Sequence, residues 1–278
     1  MEILQCELCE YKGSWIPVYP RQGIVKCPNC QLVFYDQQVD VEALYTKDYF
    51  SGGEYADYLA DKEIIQRNFS QRIKQLRKYK EGGRLLEIGS AYGLFLDIAQ
   101  PYWEVTGVEI STDCADYARN SLGLNVKAAD FLSLPDELES YDLICLWDTI
   151  EHLEHPVRYI EKATRWLKPG GVLFVTTGDI DSKMARLRKD KWRLIHPPTH
   201  LYYFSVATLS QAMNKAGLGV IDVSHVGFSR SFRAILYGLF STGEKKFPWV
   251  YRLLTANGEI DFPVYLNLFD IMMLVGRK

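Results

Sequence analysis

The sequence lacks both a long hydrophobic run and an excess of charge of one sign. No window of its 278 residues contains the roughly 18 consecutive apolar residues of a membrane-spanning helix. The first residues, MEILQCELCEYKG, lack the basic segment and apolar run of a secretory signal, so we expect a cytoplasmic protein. The formal net charge is −3, which provides no broad attraction to a phosphate backbone. Nucleic acid is therefore an unfavoured partner.

Cysteine is also scarce, and four of the six cysteines fall into two closely spaced pairs. Cys6 and Cys9 form one pair and Cys27 and Cys30 the other, in the pattern C-x2-C-x17-C-x2-C. Zn²⁺ prefers four ligands in a tetrahedron, and two residues between paired cysteines let both thiolates of a tight turn reach one ion. The spacing predicts a zinc-binding module over residues 1–38, with redox pairs or disulfides as the alternatives. Because four thiolates leave no open coordination position, we expect a structural Zn²⁺.

From residue 84 onward, strand-like and helix-like segments alternate. This alternation is typical of a parallel sheet covered by helices on both faces, so the predicted fold class is α/β and Rossmann-like. We expect a linker and helical segment at 39–82 and a main domain at 83–278, with an insertion at 227–263. The predicted strands are Arg84–Ile88, Glu104–Glu109, Asn125–Ala129, Tyr141–Trp147, Val172–Thr177, Gly219–His225 and Phe269–Gly276. The predicted helices are Tyr55–Tyr79, Gly93–Gln100, Asp113–Leu122, Pro156–Leu167 and Val206–Ala216.

The first of these strands runs into a glycine-containing turn, in the sequence LLEIGSAYG. Glycine tolerates unusual dihedrals and lets a ligand approach the backbone closely, and ligands of open α/β sheets bind outside the carboxyl ends of the strands. The turn therefore predicts a nucleotide site. The dinucleotide fingerprint G-x-G-x-x-G would require glycine where the sequence has Ala91 and Leu94, so NAD fits poorly.

Two acidic residues end the next strands. Glu109 closes the second strand, where a carboxylate can accept hydrogen bonds from ribose hydroxyls, and Asp130 closes the third, in a position suited to an adenine amino group. The candidate cofactor-binding residues are Glu87, Gly89, Ser90, Ala91, Gly93, Glu109, Ile110, Asp130, Phe131 and Trp147.

With these features in order, the sequence resembles the class I S-adenosylmethionine (SAM)-dependent methyltransferases over about residues 45–278. EIGSAYG looks like their first motif, Glu109 like the ribose-binding acid, Asp130 like the adenine-side acid, and LKPGG like the turn before their fifth strand. The resemblance implies SAM as the cofactor and a seven-stranded methyltransferase sheet. Ala91 departs from the family, since many members carry glycine there.

Three further stretches, YTKDYFSGG, DTIEHLEHP and HPPTHLYYFS, resemble a subgroup that carries an N-terminal zinc-binding segment. That subgroup includes tailoring enzymes that methylate sugars bound to nucleotides. The resemblance implies a small-molecule acceptor, a sugar or nucleotide-linked sugar, in polysaccharide or secondary-metabolite biosynthesis. The alternatives are an RNA methyltransferase whose zinc module binds RNA, a lipid or quinone acceptor, and a non-catalytic scaffold.

Ionisable residues follow the fourth strand and recur in a proline-containing loop. Asp148, Glu151 and His152 follow the strand, and His196 and His200 lie in the loop. A positioned histidine or carboxylate can remove a proton from a methyl acceptor. We therefore take His152, His200 and Asp148 as the candidate catalytic residues, with Glu151 holding either its loop or the amino-acid end of the cofactor. The alternative is that the histidines only orient their loops through backbone hydrogen bonds.

Two other segments are candidates for contact with a ligand. Tyr49 and Tyr58, in the linker, could close over the cofactor. The insertion at 227–263 contains the basic and aromatic stretches SRSFR and KKFPW. Such a mixture could bind the phosphate groups of a nucleotide-linked acceptor, touch a membrane surface or form a dimer contact.

Overall fold

The computed structural model describes residues 5–37, 62–232 and 262–278, together with residues 39, 59 and 236. Tyr49, Tyr58 and most of the insertion predicted at 227–263 lie outside the described residues. Among the helices that are described, none has the length and hydropathy needed to cross a bilayer.

The N-terminal segment forms a small antiparallel sheet built on two cysteine turns. Its strands are β1 (Ile16–Tyr19), β2 (Ile24–Lys26) and β3 (Val33–Tyr35), paired in chain order. Each cysteine turn is closed by a backbone hydrogen bond: Glu10 N–H donates to the Cys6 carbonyl at 2.8 Å, and Gln31 N–H donates to the Cys27 carbonyl at 3.0 Å. Because these hydrogen bonds fix the backbone of each turn, the two thiols of each pair are held in a defined orientation.

The remainder of the described chain alternates helices and strands. Its elements are α1 (Lys62–Leu76), β4 (Arg84–Ile88), α2 (Leu94–Ala99), β5 (Glu104–Glu109), α3 (Thr112–Leu122), β6 (Val126–Ala128), β7 (Tyr141–Trp147), α4 (Pro156–Trp166), β8 (Leu167–Gly178), α5 (Lys183–Arg188), β9 (Tyr202–Tyr203), α6 (Val206–Lys215), β10 (Gly219–His225), β11 (Phe228–Ser231), β12 (Pro263–Leu266) and β13 (Ile271–Arg277).

Seven strands form the central sheet, in the order β6-β5-β4-β7-β8-β13-β10. The five strands β6, β5, β4, β7 and β8 are parallel to one another, and β13 runs antiparallel to both β8 and β10. The predicted α/β class and seven-stranded sheet are confirmed. Chain order changes direction between β4 and β7, and ligands of open α/β sheets bind at such a switch point, outside the carboxyl ends of the strands.

The sequence explains why β4 and β7 lie in the middle of the sheet. Their residues, RLLEI and YDLICLW, are mostly apolar and mostly buried, as expected for strands covered on both faces. Local capping determines several helix ends. Gly123, with φ of 67°, ends α3, and Ser205 begins α6 by accepting a hydrogen bond from Thr208 N–H at 3.2 Å.

Most element boundaries differ from the prediction by one or two residues; the helix predicted at Tyr55–Tyr79 ends at Leu76, and the part of that prediction before residue 62 lies, apart from residue 59, outside the described residues. The main exception is the strand predicted at Val172–Thr177, which extends over Leu167–Gly178 because Leu167 already pairs with Tyr141 before the glycine turn. The two-residue strand β9, the short helix α5 and the ribbon formed by β11 and β12 were not predicted.

The N-terminal sheet shares a core with the main domain. Leu8, Leu32 and Phe34 are at most 2% exposed and belong to one cluster with Leu146 and Ile160 of the main domain. Strand β9 pairs antiparallel with β3 and adds a fourth strand to the N-terminal sheet. Packing against the main domain therefore supports this segment, in addition to any metal that it binds.

Candidate functional site

The glycine turn after β4 lies directly against the turn after β7. Gly89 has φ of 77°, and a Cβ at this position would lie 2.5 Å from Thr149 Cγ2. Only glycine therefore allows the two turns to approach so closely. Ala91 has φ of 44°, in the left-handed region that costs an L-residue about 1–2 kcal/mol. The close approach of the two turns thus requires glycine at position 89, whereas the backbone at Ala91 is strained.

Glu109 lies at the end of β5 and is only 6% exposed. Its carboxylate accepts hydrogen bonds from the backbone N–H groups of Ala91 at 2.7 Å and Ser111 at 2.9 Å. Burial raises the pKa of Glu109, while these backbone hydrogen bonds oppose the shift. An ionised carboxylate has about four lone-pair sites, so two remain for further donors such as ribose hydroxyls.

Asp130 follows β6 at the same edge of the sheet. Its carboxylate accepts hydrogen bonds from Leu132 N–H at 3.1 Å and from the Tyr159 hydroxyl. The neighbouring Phe131 is buried, with its ring centroid 4.8 Å from that of Trp166. Ile110, beside Glu109, is 37% exposed. The structure thus brings both acids to one edge, whereas the side chain of Phe131 packs in the core.

Three buried polar atoms near this edge have no hydrogen-bond partner among the described residues: Ser90 Oγ, Trp147 Nε1 and Glu87 Oε2. Burial, reinforced by nearby Glu109, raises the pKa of Glu87 well above its usual value. Unsatisfied buried polar atoms are rare in folded proteins and often mark a place where a ligand supplies the missing partner. Together with the remaining capacity of Glu109, these atoms fit SAM, whose adenosine and amino-acid groups contain both donors and acceptors.

Arg72 of α1 also reaches this region and was not predicted. Its guanidinium lies 6.0 Å from the ring centroid of Trp147. Burial lowers the pKa of Arg72, and the charge of Asp148 opposes the shift. Asp148 is exposed and adopts φ of 47°, with its N–H bonded to Thr176 Oγ1 at 2.9 Å. Helical periodicity predicted α1 but carried no signal for the element against which it packs.

The four N-terminal cysteines converge on one point. Their sulfur atoms all lie within 4.8 Å of one another, with Cys6 and Cys30 at 3.5 Å and Cys9 and Cys27 also at 3.5 Å. A tetrahedral zinc site with Zn–S bonds of about 2.3 Å has sulfur atoms about 3.8 Å apart. The cluster therefore has the composition and dimensions of a four-thiolate metal site.

A second cluster contains Glu151, His152 and His200. One ligand atom from each lies within 4.8 Å of the others, and the two imidazole centroids are 4.7 Å apart in an edge-to-face arrangement. Glu151 and His152 belong to the short 3-10 turn after β7, whereas His200 belongs to the loop before β9. Sequence analysis identified these residues separately, and the structure brings them together.

Backbone carbonyls orient both histidine rings. His152 Nδ1 lies 2.8 Å from the Thr199 carbonyl oxygen, and His200 Nδ1 lies 2.9 Å from the Leu194 carbonyl oxygen. A carbonyl only accepts hydrogen bonds, so each Nδ1 carries the proton and donates it. In the neutral ring the other nitrogen, Nε2, is then a hydrogen-bond acceptor. A common tautomer is imposed on both rings.

Burial determines the charge of this cluster. It lowers the pKa of His152 to about 4 and that of His200 to about 3, with His152 adding to the shift at His200. Burial and the nearby charge of Asp148 raise the pKa of Glu151 to about 8, and its Oε2 atom has no hydrogen-bond partner among the described residues. At pH 7 both imidazoles are therefore neutral and Glu151 is protonated, so the proton acceptors of the cluster are the Nε2 atoms of the two histidines.

The other two loop histidines bond to residues outside this cluster, although the ring centroid of His196 also lies 6.0 Å from that of His200. His155 Nδ1 lies 3.0 Å from Glu7 Oε1 of the N-terminal segment, and His196 Nδ1 lies 2.9 Å from Thr199 Oγ1. These contacts fit a role in holding the loops.

The described ends of the predicted insertion form a ribbon that packs on α1. Ser229 N–H donates to Asn68 Oδ1 at 2.6 Å, and Asn68 Nδ2 donates to the Ser229 carbonyl at 3.1 Å. The guanidinium groups of Arg193 and Arg230 lie 5.0 and 5.2 Å from the ring centroid of Phe228. Phe228 and Arg230 of the ribbon thus lie together with Arg193, which places two basic groups beside one aromatic ring.

Comparisons with known proteins identify the family. A model described as a methyltransferase domain matches residues 61–223, more than half of the chain. An uncharacterised protein of Methanocaldococcus jannaschii is 33% identical over 138 residues, which cover 50% of this chain and 64% of that protein. The ubiquinone biosynthesis O-methyltransferase of Coxiella burnetii is 26% identical over 160 residues, which cover 53% of this chain and 68% of that enzyme.

A solved structure of a SAM-dependent methyltransferase from Thermotoga maritima has the same fold, with a TM-score of 0.52 and 23% identity over 80% of this chain and 94% of that one. The family match spans the glycine turn, both strand-end acids and both segments of the histidine cluster. The chain therefore belongs to the methyltransferase-domain family and has the fold of SAM-dependent methyltransferases.

Proposed function

We propose that this enzyme methylates a small polar acceptor, a sugar or nucleotide-linked sugar of polysaccharide or secondary-metabolite biosynthesis. The observation that carries the proposal is the position of the neutral pair His152 and His200 on the turn and loop beside the predicted cofactor edge. SAM supplies a methyl group that is transferred by in-line displacement, so the protein must hold the acceptor close and take up its proton.

The proposed cofactor contacts follow from the hydrogen-bonding capacity that remains at the sheet edge. Glu109 accepts from the ribose hydroxyls, and Asp130 accepts from the adenine amino group. Ser90, Trp147 and Glu87 contribute their unpaired polar atoms. Of the other predicted residues, Gly89, Ala91 and Gly93 shape the turn, and Ile110 and Phe131 follow the two acids along the chain. We also assign to Arg72, beside Trp147, the carboxylate of the cofactor's methionyl group.

The proton of the acceptor goes to the histidine cluster. His152 and His200 each have Nδ1 engaged with a backbone carbonyl, so Nε2 is the atom that accepts the acceptor hydroxyl's proton. Burial makes both rings weak bases, but ionised Glu151 beside them stabilises the imidazolium that forms. We therefore expect the rate to rise with pH through about 8 as Glu151 ionises. Asp148, exposed at the strand end, is proposed to orient the acceptor.

We further propose that Cys6, Cys9, Cys27 and Cys30 bind a structural Zn²⁺ ion. The proposal is supported by the sulfur–sulfur distances and by the closed set of four thiols. Metal analysis of the purified protein should give one equivalent of zinc, and Cys27→Ser should lower the zinc content.

One alternative acceptor has support from the relatives. The similarity to the ubiquinone biosynthesis O-methyltransferase of Coxiella burnetii favours a phenolic acceptor of the quinone-precursor class as the second candidate. An RNA acceptor has less support, because the net charge of −3 opposes broad phosphate binding. The polar groups at the cofactor edge argue against a non-catalytic scaffold.

The test has two stages. Calorimetric titration should detect micromolar binding of SAM and S-adenosylhomocysteine and no binding of NAD; binding of NAD alone would overturn the cofactor assignment. Methyl-labelled SAM should then be supplied with nucleotide sugars, with catechols and with RNA. Label transfer to catechols alone would favour the quinone-precursor reading. With the true acceptor, His200→Asn should lower turnover much more than the control His196→Asn, whose ring pairs with Thr199.

A further inference from the structure

The residue directly after His200 links the cofactor-domain turn to the N-terminal segment through its main chain. Leu201 N–H donates to the Glu151 carbonyl at 2.8 Å, and the Leu201 carbonyl accepts from Tyr35 N–H at 2.8 Å. Glu151 and His200 belong to the histidine cluster, while Tyr35 ends β3. One peptide therefore lies between the cluster and the N-terminal sheet, with a short hydrogen bond on each side.

The linkage continues along β9. Phe34 pairs with Tyr202 and Val33 with Tyr203, so the segment after His200 is the fourth strand of the N-terminal sheet. The N-terminal end of β3 follows the second cysteine turn, where Cys27 N–H donates to the Leu32 carbonyl at 2.9 Å. A continuous hydrogen-bonded path thus runs from the cysteine cluster to the histidine loop.

Side chains reinforce the same junction. Phe34 is 2% exposed, and its ring centroid lies 6.4 Å from that of Tyr202 and 5.0 Å from that of Trp15. The Tyr202 hydroxyl donates to the Glu154 carbonyl at 3.1 Å, next to the turn that carries His152. The junction therefore combines main-chain pairing with buried aromatic packing.

The cofactor turn is held by a different set of contacts. Gly89 and Ser90 donate their N–H groups to the Val108 carbonyl at 2.9 and 3.2 Å, and Ala91 donates to Glu109. These partners belong to the main sheet. Loosening the N-terminal sheet should therefore disturb the histidine loop and leave the cofactor turn intact.

We infer that the four-cysteine module is a positioning element for His200, so that metal bound at the cysteines orders the acceptor half of the active site. The inference rests on the zinc site proposed above. Strands of three or four residues do not hold their register alone, and a structural metal supplies folding free energy to such a segment. Without the metal, β3 loses its anchor at the cysteine turn and keeps only its packing against the main domain, so the hydrogen bond from Tyr35 to the Leu201 carbonyl opens more often and His200 is held less firmly.

The tautomer of His200 offers a readout specific to this positioning. Its Nδ1 proton is donated to the Leu194 carbonyl, whereas a free histidine in water prefers the proton on Nε2. The chain has only five histidines, so nitrogen-15 spectra of the labelled full-length protein can resolve each ring. Amide hydrogen exchange at residues 199–203 provides a second readout, because local opening controls exchange.

The experiment compares the protein as purified, the protein stripped by a zinc chelator, and two proline variants. Tyr35→Pro deletes the N–H that binds Leu201 without touching a cysteine, and Ser14→Pro, at an exposed loop position before β1, is the control. Stripping and Tyr35→Pro should each speed exchange of the Leu201 amide about tenfold or more and remove the Nδ1–H signal of His200. Ser14→Pro should do neither, and SAM affinity should stay within about twofold throughout.

The possible results distinguish this inference from the zinc proposal and from the proposed function. Loss of metal with unchanged exchange and an unchanged His200 tautomer would overturn the inference and leave the zinc site standing. Absence of bound metal in the purified protein would overturn both the zinc proposal and the inference of metal-dependent ordering. Failure to bind SAM would overturn the proposed function, while the exchange and tautomer data would still report on the coupling.

Discussion

The two halves of the site are built in different ways. The cofactor half consists of the turns that follow β4, β5 and β6 of one sheet and the end of β7 at Trp147, with Gly89, Glu109 and Asp130 each at or just beyond the end of its own strand. The acceptor half joins a 3-10 turn, a loop before β9 and an N-terminal sheet that lies more than a hundred residues earlier in the chain. The first half depends on the main sheet and on α1, which carries Arg72. The second depends on how distant segments dock, which makes it easier to disturb.

Truncation of Phe34 should have the largest effect, because it should lower stability strongly and change SAM affinity little. Phe34→Ala removes a buried ring at the junction of β3 and β9, and should lower the free energy of unfolding by about 3–5 kcal/mol. SAM affinity should change by less than about twofold at a temperature where the variant is folded. Urea unfolding and calorimetric titration measure the two quantities.

Phe95→Ala is the matched control on the cofactor side. Phe95 is 1% exposed and its ring centroid lies 5.4 Å from that of Trp147. This variant should lose similar stability but also weaken SAM binding. If both variants weakened SAM binding equally, the two halves would not be separable and the comparison would be wrong.

The same contrast explains how much could be predicted from the sequence. The strands Arg84–Ile88 and Tyr141–Trp147 were predicted because a buried strand of a parallel sheet has a nearly continuous apolar sequence. The clustering of the four cysteines followed from their spacing. In each case the signal lies within a short stretch of chain.

The acceptor half has no such local signal. Strand β9 has two residues, and its pairing of Tyr202 with Phe34 depends on the position of a partner far away in sequence. His152 and His200 were identified as candidates from their residue type and position, but their mutual contact depends on the docking of two loops. Arg72 was missed because a helical pattern does not reveal which sheet edge the helix covers.

The titration of Glu151, His152 and His200 should make the free energy of unfolding depend on pH. Between pH 8 and 6.5 the folded protein keeps a proton on Glu151 that the unfolded chain releases, so the cluster's contribution to stability rises as the pH falls. Below pH 6.5 the unfolded chain protonates both histidines while the folded protein keeps them neutral. The net difference is then one proton in favour of the unfolded chain, and stability falls by about 1.4 kcal/mol per pH unit.

His200→Asn tests this assignment, because asparagine retains a donor for the Leu194 carbonyl but does not titrate. The variant should remove most of the fall in unfolding free energy between pH 6 and 5, measured by urea unfolding. His196→Asn, at an exposed position, removes only a secondary contribution to the pKa of His200 and should leave most of the fall. An unaltered slope in His200→Asn would mean that the folded protein protonates His200 as readily as the unfolded chain does.

The cofactor half should respond to Glu109→Gln. The amide places a donor where the carboxylate accepts from Ala91 and Ser111, and it removes a charged acceptor for a ribose hydroxyl. SAM affinity should fall by about 10- to 100-fold, since hydrogen bonds to charged groups contribute about 1.5–3 kcal/mol. Glu104→Gln, at the exposed start of the same strand, is the control and should bind SAM normally. Retained affinity in Glu109→Gln would refute the assignment of Glu109 as the ribose acceptor.

The smallest effect is expected at Ala91. Its φ of 44° favours glycine, so Ala91→Gly relieves about 1 kcal/mol of backbone strain, but the added freedom of the unfolded chain offsets about 0.5–1 kcal/mol of the gain. The free energy of unfolding should therefore rise by less than about 1 kcal/mol, whereas Ala207→Gly, in the exposed first turn of α6, should lower it by up to about 1 kcal/mol. A destabilised Ala91→Gly would show that the methyl group of Ala91 makes a packing contact worth more than the strain. The turn would then be adapted to alanine, and the departure from the family's glycine would be a feature of the cofactor half rather than a tolerated substitution.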